Sequence, residues 1–205
     1  LEKSTCPDLT YAIHQCARFS HDPKEAHGQA VKWIGCYLKG TVDKGLIMKP
    51  DRSRSLDLHV DADFSGNWDK EIAASDPATA QSRHGYVLSY CGMPVLWASQ
   101  LQSIIALSTT EAECVGMSRA LQDTLPVVWI LQEMKARGLP VFATAAQVHC
   151  RVFQDNSGAV EIANNPKCRP RTKHINVRFH FFRSHVGKHI IVHPIDTKDQ
   201  VADIF

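Results

Sequence analysis

No run of apolar residues in this chain approaches the ~20 that a bilayer span needs, so a membrane-crossing helix is not expected. The opening residues lack the basic-then-apolar pattern of a secretory signal. They begin at Leu1 without a methionine, which reads as a fragment of a longer polypeptide. No two cysteines form a Cys-x-x-Cys pair. The seven present (Cys6, Cys16, Cys36, Cys91, Cys114, Cys150 and Cys168) are odd in number and scattered, so reduced intracellular thiols are expected, without a disulfide framework or a zinc site. A Tyr-x-Asp-Asp motif is also missing, which removes template-directed DNA synthesis from the functions to consider.

With 205 residues and 44% apolar composition, the chain can build one packed domain plus an appendage. Its net charge of +2 is unevenly spread. Seven Lys/Arg residues lie between Lys167 and Lys188 with no acid among them, and His174, His180 and His185 are interleaved. A solvated helix face is the ordinary explanation of such a run. An unbroken single sign beside a cluster of acids favours a phosphate-binding surface instead.

Those acids fall in four separated segments: Leu58-His-Val-Asp-Ala-Asp63, Ser108-Thr-Thr-Glu-Ala-Glu113, Val152-Phe-Gln-Asp-Asn156 and Asp199-Gln-Val-Ala-Asp203. Asp61 and Asp155 end short alternating apolar runs, which read as strands. Glu113 and Asp203 stand one turn inside helix starts. Like charges held within a few ångströms repel unless cations neutralise them, so four such acids brought together would form a divalent-metal site.

Two helices are expected first. One runs from Pro7-Asp8-Leu9 to about Phe19; the other has Asp22 as N-cap and Pro23 at its first position, ends at Gly40, and buries Ala26, Ala30, Val31, Ile34 and Leu38. Strand-like runs follow at Gly45–Lys49, Leu56–Asp61, Gly85–Cys91 and Val95–Ser99, with a further candidate at Ile104–Leu107 and a loop over Gly66–His84. Ser108-Thr-Thr-Glu111 is a capping box opening a long helix towards Arg137, which Pro126 should kink or divide. A strand over His149–Gln154, a short helix over Ser157–Ala163, a helix over Thr172–Val186 and a strand over Lys188–His193 complete the pattern. A second capping box, Thr197-Lys-Asp-Gln200, precedes a helix that the chain cuts short. Antiparallel strands followed by alternating helix and strand predict an α/β fold with a mixed sheet.

This order of elements, with acids on the first strand, first long helix, fourth strand and last helix, resembles ribonuclease H. Leu107-Ser-Thr-Thr-Glu-Ala-Glu113, Gln154-Asp-Asn-Ser157, Arg171-Thr-Lys-His-Ile175 and Asp199-Gln-Val-Ala-Asp-Ile-Phe205 are similar to the RNase H domain of copia-type (Pseudoviridae) retrotransposon polyproteins. Ser4-Thr-Cys-Pro-Asp-Leu-Thr-Tyr-Ala12 and Tyr37-Leu-Lys-Gly40 resemble the tail of the reverse transcriptase that precedes it. The resemblance implies an RNase H-like α/β fold, a five-stranded mixed sheet with three antiparallel strands then two parallel ones. It divides the chain into a helical tail over 1–42 and a nuclease domain over 43–205. Relative to the family pattern, Cys6 stands where a basic residue is expected and His84 where a small hydroxyl residue is commoner.

Carried over residue by residue, the resemblance makes Asp61, Glu113, Asp155 and Asp203 the catalytic and metal-holding acids, with two Mg²⁺ ions as cofactor and Mn²⁺ able to substitute. Asp63 and Glu111 are the competing positions; Asp63 lies further along the strand, and Glu111 is explained as the capping-box residue. Asn156 and Ser157 would hydrogen-bond the scissile strand, while Arg171, Lys173, His174 and Arg178 would hold the other strand or fix the helix that carries them. His193 or His189 would be the proton-shuttling histidine if one is used, and His185 with His189 has metal-like spacing but no third ligand. The implied substrate is an RNA–DNA hybrid and the implied partner is the upstream reverse transcriptase domain. The implied location is intracellular, in the element's virus-like particle or the nucleus. Two alternatives stay open: a catalytically silent module that grips the hybrid, and another nuclease of the same fold, such as an integrase or transposase core. Retention of all four acids argues against the first, and the Asp-Gln-Val-Ala-Asp ending against the second.

Overall fold

The computed structural model describes residues 2–143, 148–165 and 181–205. Five strands form one sheet: β1 (Leu56–Ala62), β2 (Arg83–Tyr90), β3 (Met93–Leu101), β4 (Cys150–Gln154) and β5 (Ile190–Pro194). Their order is β3-β2-β1-β4-β5; β1 pairs antiparallel with β2 and β2 with β3, while β4 lies parallel to β1 and β5 parallel to β4. This is the five-stranded mixed sheet, three antiparallel strands then two parallel ones, that the resemblance implies. Period-2 alternation drives it: in β1, Leu56, Leu58 and Val60 are wholly buried on one side, and Asp57, His59 and Asp61 point to the other. Asp57 is buried too, and Arg151 on the neighbouring strand meets it with two charge-assisted hydrogen bonds of 2.7 and 2.8 Å.

The buried side of the sheet is covered by α3 (Thr109–Ala136), which contributes Cys114, Met117, Leu121, Leu125 and Val128 at helical spacing, and by α4 (Ser157–Asn164). Pro126 does not divide α3. Both Pro126 and Gln122 are exposed, so the carbonyl that loses its N–H partner faces water. On the opposite side, Ala202 and Phe205 pack against Val87 and Trp97. Gly85 permits this approach, because a Cβ there would collide with the Phe205 side chain and crowd the Ala202 carbonyl at 3.3 Å.

Several expectations are corrected. The first helix opens as a 3-10 turn (Pro7–Leu9) before α1 (Thr10–Ala17). The second, α2 (Glu25–Gly40), is capped at Lys24 rather than Asp22 and buries none of its residues. It packs on α1, which is too short to cover its apolar face, so Ile34 and Leu38 are half-buried and Val31 and Ala26 are exposed. Gly45–Lys49 and Ile104–Leu107 form no strand. Ile47 and Met48 are exposed, with no strand among the described residues paired to them. The last helix is instead two 3-10 turns, Thr197–Asp199 and Val201–Ile204; Asp196 caps the first by accepting from the Lys198 amide. Of the helix expected over Thr172–Val186, residues 172–180 lie outside the described residues; 181–183 are helical, and Phe182 is in the core. Among the described residues, no helix is long and apolar enough to cross a membrane, and the cysteines are free thiols.

Candidate metal centre

Because β1 and β4 are parallel neighbours, their C-terminal ends deliver Asp61 and Asp155 to the same edge of the sheet. α3 crosses the buried face and brings Glu113 there in its second turn. One carboxylate oxygen from each of Asp61, Glu113 and Asp155 lies within 4.8 Å of the others. Asp203, in the final 3-10 turn, is close enough that its charge raises the pKa of Asp61, and its own is raised by burial and then by Asp155. Burial, then Asp203 and Asp155, push the Asp61 carboxyl up to about 6, against a hydrogen bond from the Ala62 amide. Burial, followed by the Asp61 charge, drives Glu113 up to about 9, although Gln154 donates to it. Among the described residues no lysine or arginine forms an ion pair with any of the four. A crowded, partly buried set of oxygen donors with no cation ion-paired to it among the described residues fits a hard divalent cation.

The two competing acids are engaged elsewhere. Asp63 accepts from the Arg83 amide at the start of β2. Ser108 caps α3 by accepting from the Glu111 amide at 3.1 Å, and Glu111 returns to the Leu107 amide at 2.9 Å, one residue before the position a capping box predicts.

Two residues that hold these acids escaped the sequence reading. Gln154 is fully buried on the apolar side of β4; its Nε2 donates to Glu113 Oε2 at 3.2 Å and its Oε1 accepts from the Asn156 amide at 2.9 Å. A polar side chain where β4's alternation calls for an apolar one, next to Asp155, was the available signal. Thr197 donates to Asp155 Oδ2 at 2.8 Å; locally it resembles a helix cap, and no sequence signal marks it otherwise. Asn156 is the N-cap of α4, accepting from the Ala159 amide at 3.0 Å and from Thr110 at 3.3 Å, and Ser157 is exposed beside it. His193 stacks on Phe153 with ring centroids 5.8 Å apart, and His189 contacts Gln132 at 3.3 Å. His185 and His189 join no three-ligand group among the described residues. Arg171, Lys173, His174 and Arg178 lie outside the described residues.

No family model matches the chain. Over 201 residues, 97% of this chain, the sequence is 32% identical to the retrovirus-related Pol polyprotein from transposon RE1 of Arabidopsis thaliana. It is 31% identical over 98% of this chain to the retrovirus-related Pol polyprotein from transposon TNT 1-94 of Nicotiana tabacum. The matches take up 12% and 14% of those polyproteins, so the chain spans about an eighth of the length of the curated relatives it matches. Among solved structures, RNase H1 from the halophilic archaeon Halobacterium salinarum is similar over 73% of this chain and 91% of that one, with a TM-score of 0.48 and 11% identity.

Proposed function

Because the chain belongs to the retrovirus-related Pol polyproteins of copia-type transposons, we propose that its acidic centre hydrolyses the RNA strand of RNA–DNA hybrids during reverse transcription. The observation that carries this reading is the approach of Asp61, Glu113 and Asp155 to within 4.8 Å, with no lysine or arginine ion-paired to them among the described residues. Asp61, Glu113, Asp155 and Asp203 would hold two Mg²⁺ ions, for which Mn²⁺ substitutes. When bound, such ions supply an activated water and stabilise the leaving 3′ oxygen.

The chain's own residues set up that chemistry. Gln154 fixes the rotamer of Glu113, and Thr197 fixes Asp155, so the oxygen donors are oriented before any ligand arrives. Burial of Glu113 excludes water from the inner side of the site. Asn156 and Ser157, just beyond Asp155, are placed to hydrogen-bond the scissile strand, where the 2′-hydroxyl distinguishes RNA from DNA. The basic Lys167–Lys188 run, including Arg171, Lys173 and Arg178, holds phosphates of the partner strand. Residues 1–42 are the tail of the reverse transcriptase and 43–205 the nuclease domain, with the polymerase upstream as its partner in the same polyprotein.

The test is cleavage of labelled substrates by the purified chain. With Mg²⁺ or Mn²⁺, the RNA of a hybrid is cut while single-stranded RNA and duplex DNA stay largely intact. Equal cutting of duplex DNA overturns the reading.

A further inference from the structure

Away from the acids, α1 and α2 face the loop between β1 and β2 across a groove of about 640 Å³. Its lining includes Tyr11 and His27 from the helices, Arg18, Phe19 and Lys24 from the connection between them, and Asn67 from the loop. Phe19 and His27 stack with centroids 4.2 Å apart at 14°, and the Arg18 guanidinium lies 5.3 Å from the Phe19 ring centre. His27 Nδ1 accepts from the Lys24 amide, so the proton of the neutral ring sits on Nε2, which is left as a donor.

Basic groups outnumber acids around this groove, where Asp76 is in the lining and Glu2 acts on His14. Behind Tyr11 lies Arg83, only 3% exposed, with its guanidinium 5.0 Å from the Tyr11 ring centre and its Nε and Nη2 without hydrogen-bond partners among the described residues. Its Nη1 reaches Ser99 and His14, each at 3.1 Å. After burial, the charges of Arg83, Arg18 and Lys3 are what hold the His14 pKa down. Asp76, the acid in the lining, spends a carboxylate oxygen on the Ala78 amide at 3.0 Å. Among the described residues, Arg18, Lys24 and Arg83 form no ion pair. Arg18 donates to Gln15 at 3.1 Å, and Asp63 acts on the Arg83 charge without forming an ion pair with it. Cations without an ion-paired acid, beside a stacked aromatic pair, are the chemistry that recognises a phosphate backbone and its bases.

We propose that this groove binds a phosphodiester segment of the nucleic-acid substrate outside the metal centre, with Arg18 and Lys24 on phosphate oxygens and the Phe19–His27 pair against a sugar or base. The proposal rests on the nucleic-acid reading above but not on the acids. It gives the N-terminal helices a direct part in holding substrate, in addition to linking the domain to what precedes it.

The experiment measures binding of a fluorescein-labelled RNA–DNA hybrid in EDTA, where no cleavage occurs, over a range of salt concentrations. Arg18→Gln with Lys24→Ala weakens binding several-fold and reduces the log–log salt slope by roughly 0.9 for each lost phosphate contact. A thermal melt checks that the double variant is folded. In the unaltered chain, alkylation of Cys16, which lines the groove, is slowed by saturating hybrid, while exposed Cys36 on α2 reacts at its free rate; peptide mapping separates the two. An unchanged slope in a folded variant, or Cys16 left unprotected, overturns the assignment and leaves the groove to a protein neighbour. If the slope falls and Cys16 is protected while no hybrid is ever cut, the groove stands and the catalytic reading falls.

Discussion

Gln154 donates to Glu113 across 3.2 Å from a wholly buried position on β4, placing a polar side chain where the strand's alternation calls for an apolar one. The contact favours the charged form of a carboxylate that burial and the Asp61 charge both disfavour. Gln154→Leu keeps the volume roughly constant and removes the donor. Activity at neutral pH should then fall by about 10–100-fold, the usual cost of losing a supporting contact to a metal ligand. The acidic limb of the pH–rate profile should also move to higher pH. A purely structural role would lower the melting temperature and leave that limb in place.

Glu113 makes stability without metal depend on pH in a defined direction. Its folded pKa, about 9, lies above the ordinary glutamate value, so between the two the folded chain binds a proton that the unfolded chain has released. Stability is therefore highest when Glu113 is protonated in both states and falls as pH rises towards 9. Below about pH 6.5, buried His84, held near 4 mainly by burial, acts in the opposite direction and costs stability as pH falls. Above about pH 8 the buried thiols of Cys91, Cys114 and Cys150, which burial holds up, add a slope of the same sign, so the clean window is pH 6.5 to about 8. In EDTA the melting temperature should drop across that window by on the order of 5 °C. Glu113→Gln should flatten the slope, and so should saturating Mg²⁺, which holds Glu113 ionised in the folded chain. A flat profile in the unaltered chain would mean that Glu113 is not desolvated.

Glu111 and Glu113 are both buried on the same helix, two residues apart, yet are put to different uses. Glu111 accepts from the Leu107 amide, and its glutamine analogue keeps an oxygen in that place. Glu111→Gln should retain most cleavage at a stability cost under ~1 kcal/mol. Glu113→Gln should abolish metal-dependent cleavage without lowering the melting temperature in EDTA at pH 8, because removing a crowded charge relieves repulsion. Parallel activity assays and melts separate the two, and the reverse pattern would move the catalytic role to Glu111.

The sheet was legible because β1 states its own geometry: Leu56, Leu58 and Val60 against Asp57, His59 and Asp61 allows one burial pattern. The convergence of the acids was not legible, since it depends on β4 pairing beside β1, a contact between residues almost a hundred positions apart. Helical spacing in α2 showed an apolar face but not whether a partner exists to cover it. Thr197-Lys-Asp-Gln200 matches a capping box locally. Long-range bonds override it: Gln200 turns inward and donates to the Val60 carbonyl at 2.9 Å, while its side-chain oxygen lies 3.3 Å from His59. Pro126 breaks helices when the freed carbonyl is buried, and sequence alone did not show that Gln122 faces water.

Gly85 sits directly across the ladder from Asp61 and beneath the turn that carries Asp203, which makes it a test of how the fourth acid is held. An alanine there would strike Phe205 and press on the Ala202 carbonyl, forcing the turn away from the sheet. Overpacking of this kind costs about 1–3 kcal/mol, and Asp203 should move with the turn. Gly85→Ala should therefore lower the melting temperature by several degrees and weaken Mg²⁺ binding in a calorimetric titration, although it alters no carboxylate. Adding Phe205→Gly to Gly85→Ala removes the largest clash, which is with the Phe205 Cβ, so metal affinity should partly recover even though the small cluster with Val87 and Trp97 is thinner. Unchanged metal affinity in the single variant would show that Asp203 is positioned independently of Phe205.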